Sequence, residues 1–274
     1  MKKSLWALAL PIGTAVVMLW TVTAPAADVM MDTAAFASAV PVEGEIPGLL
    51  KWANSQPSDS AQLTIVSPRN GARFATGESL YVNVTVSGMA LGEQTQHAAG
   101  CGLANSAEGQ HVHVIVNNEP YQANYADGKP FPIGMLPPGV HTLRVFPSRS
   151  WHESVKSPGA FQWLTFYVGD TAGPGPIKTG QPLLTYSRPK GVYEGEAAKT
   201  IMVDFYLTNV ELAPKGYRVR LTVDGKSSLL DWWVPYLVTG LSPGKHRFKL
   251  ELLDTSGNIV PGAYNVTERT ITLK

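Results

Sequence analysis

The chain contains one cysteine, Cys101, in 274 residues. That excludes an internal disulfide and any zinc site built from paired Cys-x-x-Cys units. Charge is scarce as well: 16 % of residues are charged and the formal net charge is +1, leaving no electrostatic basis for binding nucleic acid or another polyanion. No G-x-S-x-G elbow, H-E-x-x-H helix or phosphate-cradling loop occurs, and His152, Glu153 and Ser154 are chain neighbours, which seldom form a triad. No catalytic residue is therefore assigned, and a hydrolase is the least supported class. No cysteine directly follows the N-terminal apolar run, so lipid attachment there is excluded. Glycine (26) and proline (21), with 44 % apolar content, favour turns, short strands and buried cores over long helices.

Lys2 and Lys3 precede the apolar stretch LWALALPIGTAVVMLWTV, and TAPAADV follows with small residues placed for cleavage after Ala26. Residues 1–26 read as a secretory signal, with an uncleaved membrane anchor as the alternative and the only route to a membrane. The expectation is export, to a periplasm or the medium. Residues 27–60 show no sustained period and read as a largely irregular linker with one helical turn around PGLLKWA.

Period-two alternation begins after residue 60. AQLTIVSP, SLYVNVTVSG, QHVHVIVNN, VHTLRVFP and FQWLTFYVG are strand candidates separated by turn residues, and after TAGPGPIKTGQP the pattern resumes in TIMVDFYLTN, YRVRLTVDG, KHRFKLELLD and RTITL. The two halves match in order: GQHVHVIVNN with GYRVRLTVDG, MLPPGVHTLRV with LSPGKHRFKLEL, SPGAF with VPGAY. These observations predict an all-β chain of two tandem immunoglobulin-like or fibronectin-III-like β-sandwiches, residues 61–170 and 181–274, joined by a linker at 171–180.

The repeat assigns strand faces. Val219, Leu221 and Val223 alternate with Arg218, Arg220 and Thr222, so the apolar set faces the core, and by alignment so do Val112, Val114 and Val116. His111 and His113 then lie on the outer, exposed face of their strand. His141 and His246 each sit in a Pro-Gly-x-His turn beside apolar residues, where an imidazole ties a turn by hydrogen bonding. In DWWVPY, Trp232 and Trp233 are adjacent, so on a strand one ring faces inward and the other docks on the neighbouring domain.

The first copy carries two loops that the second lacks. EQTQHAAGCGLANSAE brings His97 and Cys101, and SRSWHESVKSPGAF brings Arg149, Trp151, His152, Glu153 and Lys156. The leading expectation is a non-enzymatic binding or scaffold protein. Its site would be an open loop face of Arg149, Trp151, His152, Glu153 and Lys156, bordered by Tyr121, Asn117 and Glu119, for a small molecule, glycan or envelope protein. The alternative is a copper or zinc site, because strand residues i and i+2 project to one side: His111 and His113 supply two ligands, and Cys101, His97 or His152 the rest.

HVHVIVNNEPY followed by PPGVHTLRVFPSRSWHESVK resembles short immunoglobulin-like modules of exported bacterial proteins, closely in the first domain and loosely in the second. The resemblance implies a sandwich fold and bacterial export, and it implies no activity. Asn117 and Asn118 stand where such modules often carry an Asp-Gly or Asp-Asn turn.

Overall fold

The computed structural model describes residues 39–52, 60–96, 98 and 101–274; the expected signal segment and His97 lie outside the described residues. Two short strands come first, β1 (Ala39–Pro41) and β2 (Leu49–Trp52). The first repeat contains β3 (Gln62–Ser67), β4 (Arg73–Phe74), β5 (Leu80–Ser87) and β6 (His111–Val116). It continues with β7 (Gln122–Asn124), β8 (Phe131–Gly134), β9 (Gly139–Ser148) and β10 (Gln162–Val168). The second contains β11 (Leu183–Arg188), β12 (Gly191–Tyr193), β13 (Thr200–Thr208) and β14 (Arg218–Val223). It ends with β15 (Lys226–Leu230), β16 (Tyr236–Thr239), β17 (Gly244–Leu253) and β18 (Val266–Leu273).

Among the described residues the chain is all-β but for one short 3-10 turn at Gly195–Ala198, with four sheets forming two sandwiches. One sheet of each sandwich has the same strand order, β4-β10-β9-β6-β7 in the first and β12-β18-β17-β14-β15 in the second. The likeness extends to an edge strand that pairs parallel in each, β4 with β10 and β12 with β18. Alternation explains the cores. Leu80, Val82, Val84 and Val86 of β5 meet Val112, Val114 and Val116 of β6 in the first core, and Val219, Leu221 and Val223 hold the matching places in the second.

The linker expectation needs correction. Within 27–60, residues 39–41 and 49–52 are strands, and β2 pairs antiparallel with β16 of the second sandwich, where a helical turn was expected. Leu49 enters the second core while Trp52 packs on the opposite face. Four residues are too few to display a period, and it is the free edge of β16 that organises them.

The larger correction concerns exposure. All six residues of β6 are buried, whereas its counterpart β14 alternates buried and half-buried. The outer face of β6 and β9 is covered by the outer face of β11 and β13. Across this seam Phe146 packs on Tyr206 at 5.3 Å and the Arg144 guanidinium donates to Thr185 Oγ1 at 3.0 Å, while Trp233, from the same sandwich as Tyr206, meets that ring edge-on at 4.9 Å. Burying Ile115 and Phe146 there contributes roughly 1.5–3 kcal/mol each. Trp232 and Trp233 lie outside the strands: Trp233 docks at the seam, and Trp232 stays 54 % exposed with Lys51 above its ring.

His141 and His246 tie turns as expected. His141 accepts from Asn117 Nδ2 through Nδ1 at 3.1 Å and donates from Nε2 to the Pro137 carbonyl at 2.9 Å. His246 faces only acceptors, Asp224 Oδ2 at 2.6 Å and the Ser242 carbonyl at 2.7 Å. Burial opposes its protonation, but the Asp224 and Ser242 hydrogen bonds outweigh that and raise its pKa.

Candidate metal centre

Alternation along β6 sets His111 and His113 side by side on the seam face. His111 Nδ1 lies 2.8 Å from the Gly109 carbonyl. A carbonyl only accepts, so Nδ1 carries the proton and Nε2 presents a lone pair. Facing that lone pair, each at 3.1 Å, are Nε2 of His113 and Nδ1 of His152. The three imidazole nitrogens all lie within 4.8 Å of one another.

The third histidine arrives on the loop after β9. Arg149 N–H donates to the Glu153 carbonyl at 2.9 Å and His152 N–H to the Arg149 carbonyl at 2.9 Å, closing a tight turn. Within it His152 adopts φ 71°; among the described residues the other non-glycine residues with positive φ are Asn117, Asn209 and Asp224, types that tolerate that region best. Backbone strain at a residue whose side chain joins a cluster is a mark of functional constraint. We predict that His152→Asn stays within about 1 kcal/mol of the parent in urea denaturation, because the turn favours asparagine, while metal affinity drops. A loss of several kcal/mol would mean that the imidazole itself holds the seam.

Hydrogen bonds fix the other rings. His113 Nδ1 pairs with Ser187 Oγ of β11 at 3.1 Å, so the second sandwich reaches the cluster directly. Tyr121 stacks on the His113 ring with centroids 3.4 Å apart and planes 7° from parallel, and its hydroxyl lies 3.0 Å from His152 Nδ1. Ser187 bonds the His113 nitrogen that faces away from the cluster, the kind of outer partner that orients a metal-binding imidazole, whereas the Tyr121 hydroxyl contacts the same His152 nitrogen that faces His111. Ser187→Ala is expected to weaken metal binding by about 10–100-fold, measured by chelator competition; unchanged affinity would place Ser187 outside the site's support.

Electrostatics keeps the rings neutral. Burial lowers His111 to about 4, with Arg188 and Lys190 adding to the effect against a partial offset from the Gly109 carbonyl. Burial likewise holds His113 and His152 well below the ordinary range, helped by the neighbouring histidines and by Arg188 and Lys190. Neutral imidazoles are the form that ligates metals, so protons do not compete for these nitrogens at pH 7.

The remaining candidate residues divide. Cys101 is buried in an apolar cluster with Trp52, Leu103, Trp151, Met202 and Leu237, outside the histidine group, and burial raises its thiol pKa. The expected open loop face is instead part of the seam. Trp151 packs 6.0 Å from Trp52 and donates to Glu153 Oε2 at 2.8 Å, while Arg149 Nε lies 3.8 Å from that oxygen. Lys156 Nζ donates to Asp204 Oδ1 of β13 at 2.8 Å, beside Ser154 Oγ–H at 3.0 Å from the same oxygen. Glu119 is exposed and takes part through its carbonyl, which accepts from Arg269 at 3.3 Å. Sequence reasoning missed Ser187, Arg188, Lys190 and Asp204, which come from the second repeat. The run SRPK at 187–190 is the local signal of the first three.

No family model matches the chain. No curated protein matches it either. Among solved structures, fibronectin(III)-like modules of Clostridium thermocellum CbhA share 14 % identity over 78 % of this chain and 94 % of theirs, with a TM-score of 0.27. A chimeric titin Z1Z2-Z1Z2 tandem shares 12 % over 77 % of this chain and 97 % of its own, TM-score 0.21. The tandem Ig repeats of Dlar share 7 % over 78 % and 99 %, TM-score 0.24. Likenesses this weak carry no function across, so the chemistry of the two sandwiches rests on their own residues.

Proposed function

We propose that this protein is an exported, non-catalytic two-module protein that holds one transition-metal ion, zinc or copper, between its sandwiches. The observation that carries the reading is the facing of three imidazole nitrogens, from the buried His111 and His113 and the half-buried His152, with His111 Nε2 deprotonated by the carbonyl bond at its other nitrogen. Metal–imidazole bonds of about 2.0–2.1 Å at trigonal or tetrahedral angles bring ligand nitrogens about 3.3–3.6 Å apart, and two of the three separations here are already 3.1 Å. Without an ion, the His111 Nε2 lone pair accepts hydrogen bonds across the two 3.1 Å contacts; an ion in that place would instead take one lone pair from each of the three rings.

The arrangement favours storage or structural binding. The ligands stand in a seam with the Tyr121 ring stacked over one of them, and the small cleft lined by His152, Arg188, Tyr193 and Met202 has room for one water-sized group, about 10 Å³. Export is supported by the N-terminal charge and apolar pattern. Elemental analysis of untagged protein is the test. One zinc or copper per chain, lost in a His111→Ala, His113→Ala variant that remains folded, is the expected result. Metal-free protein that also fails to take up either ion in titration would reduce the histidines to a hydrogen-bonded cluster.

A further inference from the structure

The charge around the triad narrows the choice of ion. Tyr121 stacks on His113, and two cations lie against the same tyrosine: Lys190 Nζ is 3.9 Å from its ring centre and donates to its carbonyl at 2.7 Å, and the Arg188 guanidinium is 5.4 Å from the ring. Arg188 is 7 % exposed, donates to Tyr193 Oη at 2.9 Å and leaves Nε without a hydrogen-bond partner. Among the described residues neither cation forms an ion pair with a carboxylate, and a further cation, Arg269, donates to the Ser187 carbonyl at 3.2 Å. The three candidate ligands are neutral, and the thiol of Cys101 is not among them.

A dication here would keep its full charge in a buried space beside the cations Arg188 and Lys190. Coulomb repulsion scales with the ion's charge, so a monovalent ion suffers half of it. Cuprous ion is monovalent, has a closed d shell and is content with two or three nitrogen ligands.

Resting on the three-histidine reading above, we infer that the seam selects cuprous copper over zinc, through its uncompensated cations Arg188 and Lys190. Selection is by charge, since imidazole alone does not separate the two metals.

Anaerobic competition titrations of the untagged full chain with Cu(I) and Zn(II) test this, repeated on Lys190→Met. The parent is expected to hold Cu(I) more tightly. In Lys190→Met the preference should move toward Zn(II) by about tenfold, because removing one cation relieves the dication more. Arg188→Met is the stronger perturbation; should it fail to fold, Lys190→Met, at a partly exposed position, decides alone. Equal changes for both ions, or tighter Zn(II) than Cu(I) in the parent, would each overturn the inference while leaving a metal site in place. Failure to bind either ion would instead remove the three-histidine reading on which it rests.

Discussion

Metal-free protein is expected to lose stability steeply as pH falls from 6.5 toward 5, by about 3 kcal/mol per pH unit at full slope. The cause is the three seam histidines. Their folded pKa values lie at about 4 for His111 and well below the ordinary range for His113 and His152, against about 6.5 in the unfolded chain. A depressed pKa means that the unfolded state takes up protons first. The stability is therefore fully present above pH 6.5 and lost as pH falls toward the folded values. Each histidine contributes a slope of up to about 1.4 kcal/mol per pH unit. Glu153 opposes them, because burial raises its carboxyl pKa despite Lys156 and Arg149, so the folded state gains that one proton early. His246 stays out of this window: its pKa is raised, so its contribution is complete below 6.5 and fades only at higher pH. Urea midpoints from pH 7.5 to 5 measure the effect, and His111→Gln should make the profile shallower. A flat profile would show the imidazoles to be solvated or protonated in the folded protein.

Asp204→Ala is expected to cost about 3–5 kcal/mol, the range for breaking one partner of a buried pair. Asp204 is fully buried and accepts from Lys156 Nζ at 2.8 Å, Ser154 Oγ at 3.0 Å and Ser154 N–H at 3.1 Å. Alanine would strand that N–H and a mostly buried ammonium at the seam. Replacing both charges, Lys156→Met with Asp204→Leu, should recover much of the loss, and a double-mutant cycle in urea measures the coupling. Additive effects of the two single substitutions would mean that the sandwiches are not held together through this pair.

How much of this was legible beforehand follows from what each signal reports. Alternation and the internal repeat identified two sandwiches, because Val112, Val114 and Val116 repeat as Val219, Leu221 and Val223. They also placed His111 and His113 outside the core. They did not show what covers that face, since alternation reports one sandwich at a time. A trace of the cover was present. The outward set of β6 includes Ile115 and that of β9 includes Phe146, where β14 has Arg218, Arg220 and Thr222 outward. Strands that are apolar on both faces are buried on both faces.

The same blindness governed the site. His152 was visible as a candidate ligand, and the left-handed turn that delivers it was not, because SRSWHESVK has no glycine or Asn to announce a positive φ. Cys101 was attractive for its chemistry and fell out on placement, drawn into an apolar cluster around Trp151. Arg149, Glu153 and Lys156 looked like a ligand's recognition set and instead sit at the seam, Lys156 pairing with Asp204, a residue of the other repeat.

X-ray absorption spectroscopy of the metal-loaded, full-length protein tests the three-histidine centre most directly. The account predicts a coordination sphere made of three imidazoles, with the spectrum losing one imidazole in His152→Asn and unchanged in Cys101→Ser. A spectrum with a thiolate shell at about 2.3 Å that disappears in Cys101→Ser, or one with fewer than three imidazoles and no response to His152→Asn, would contradict it.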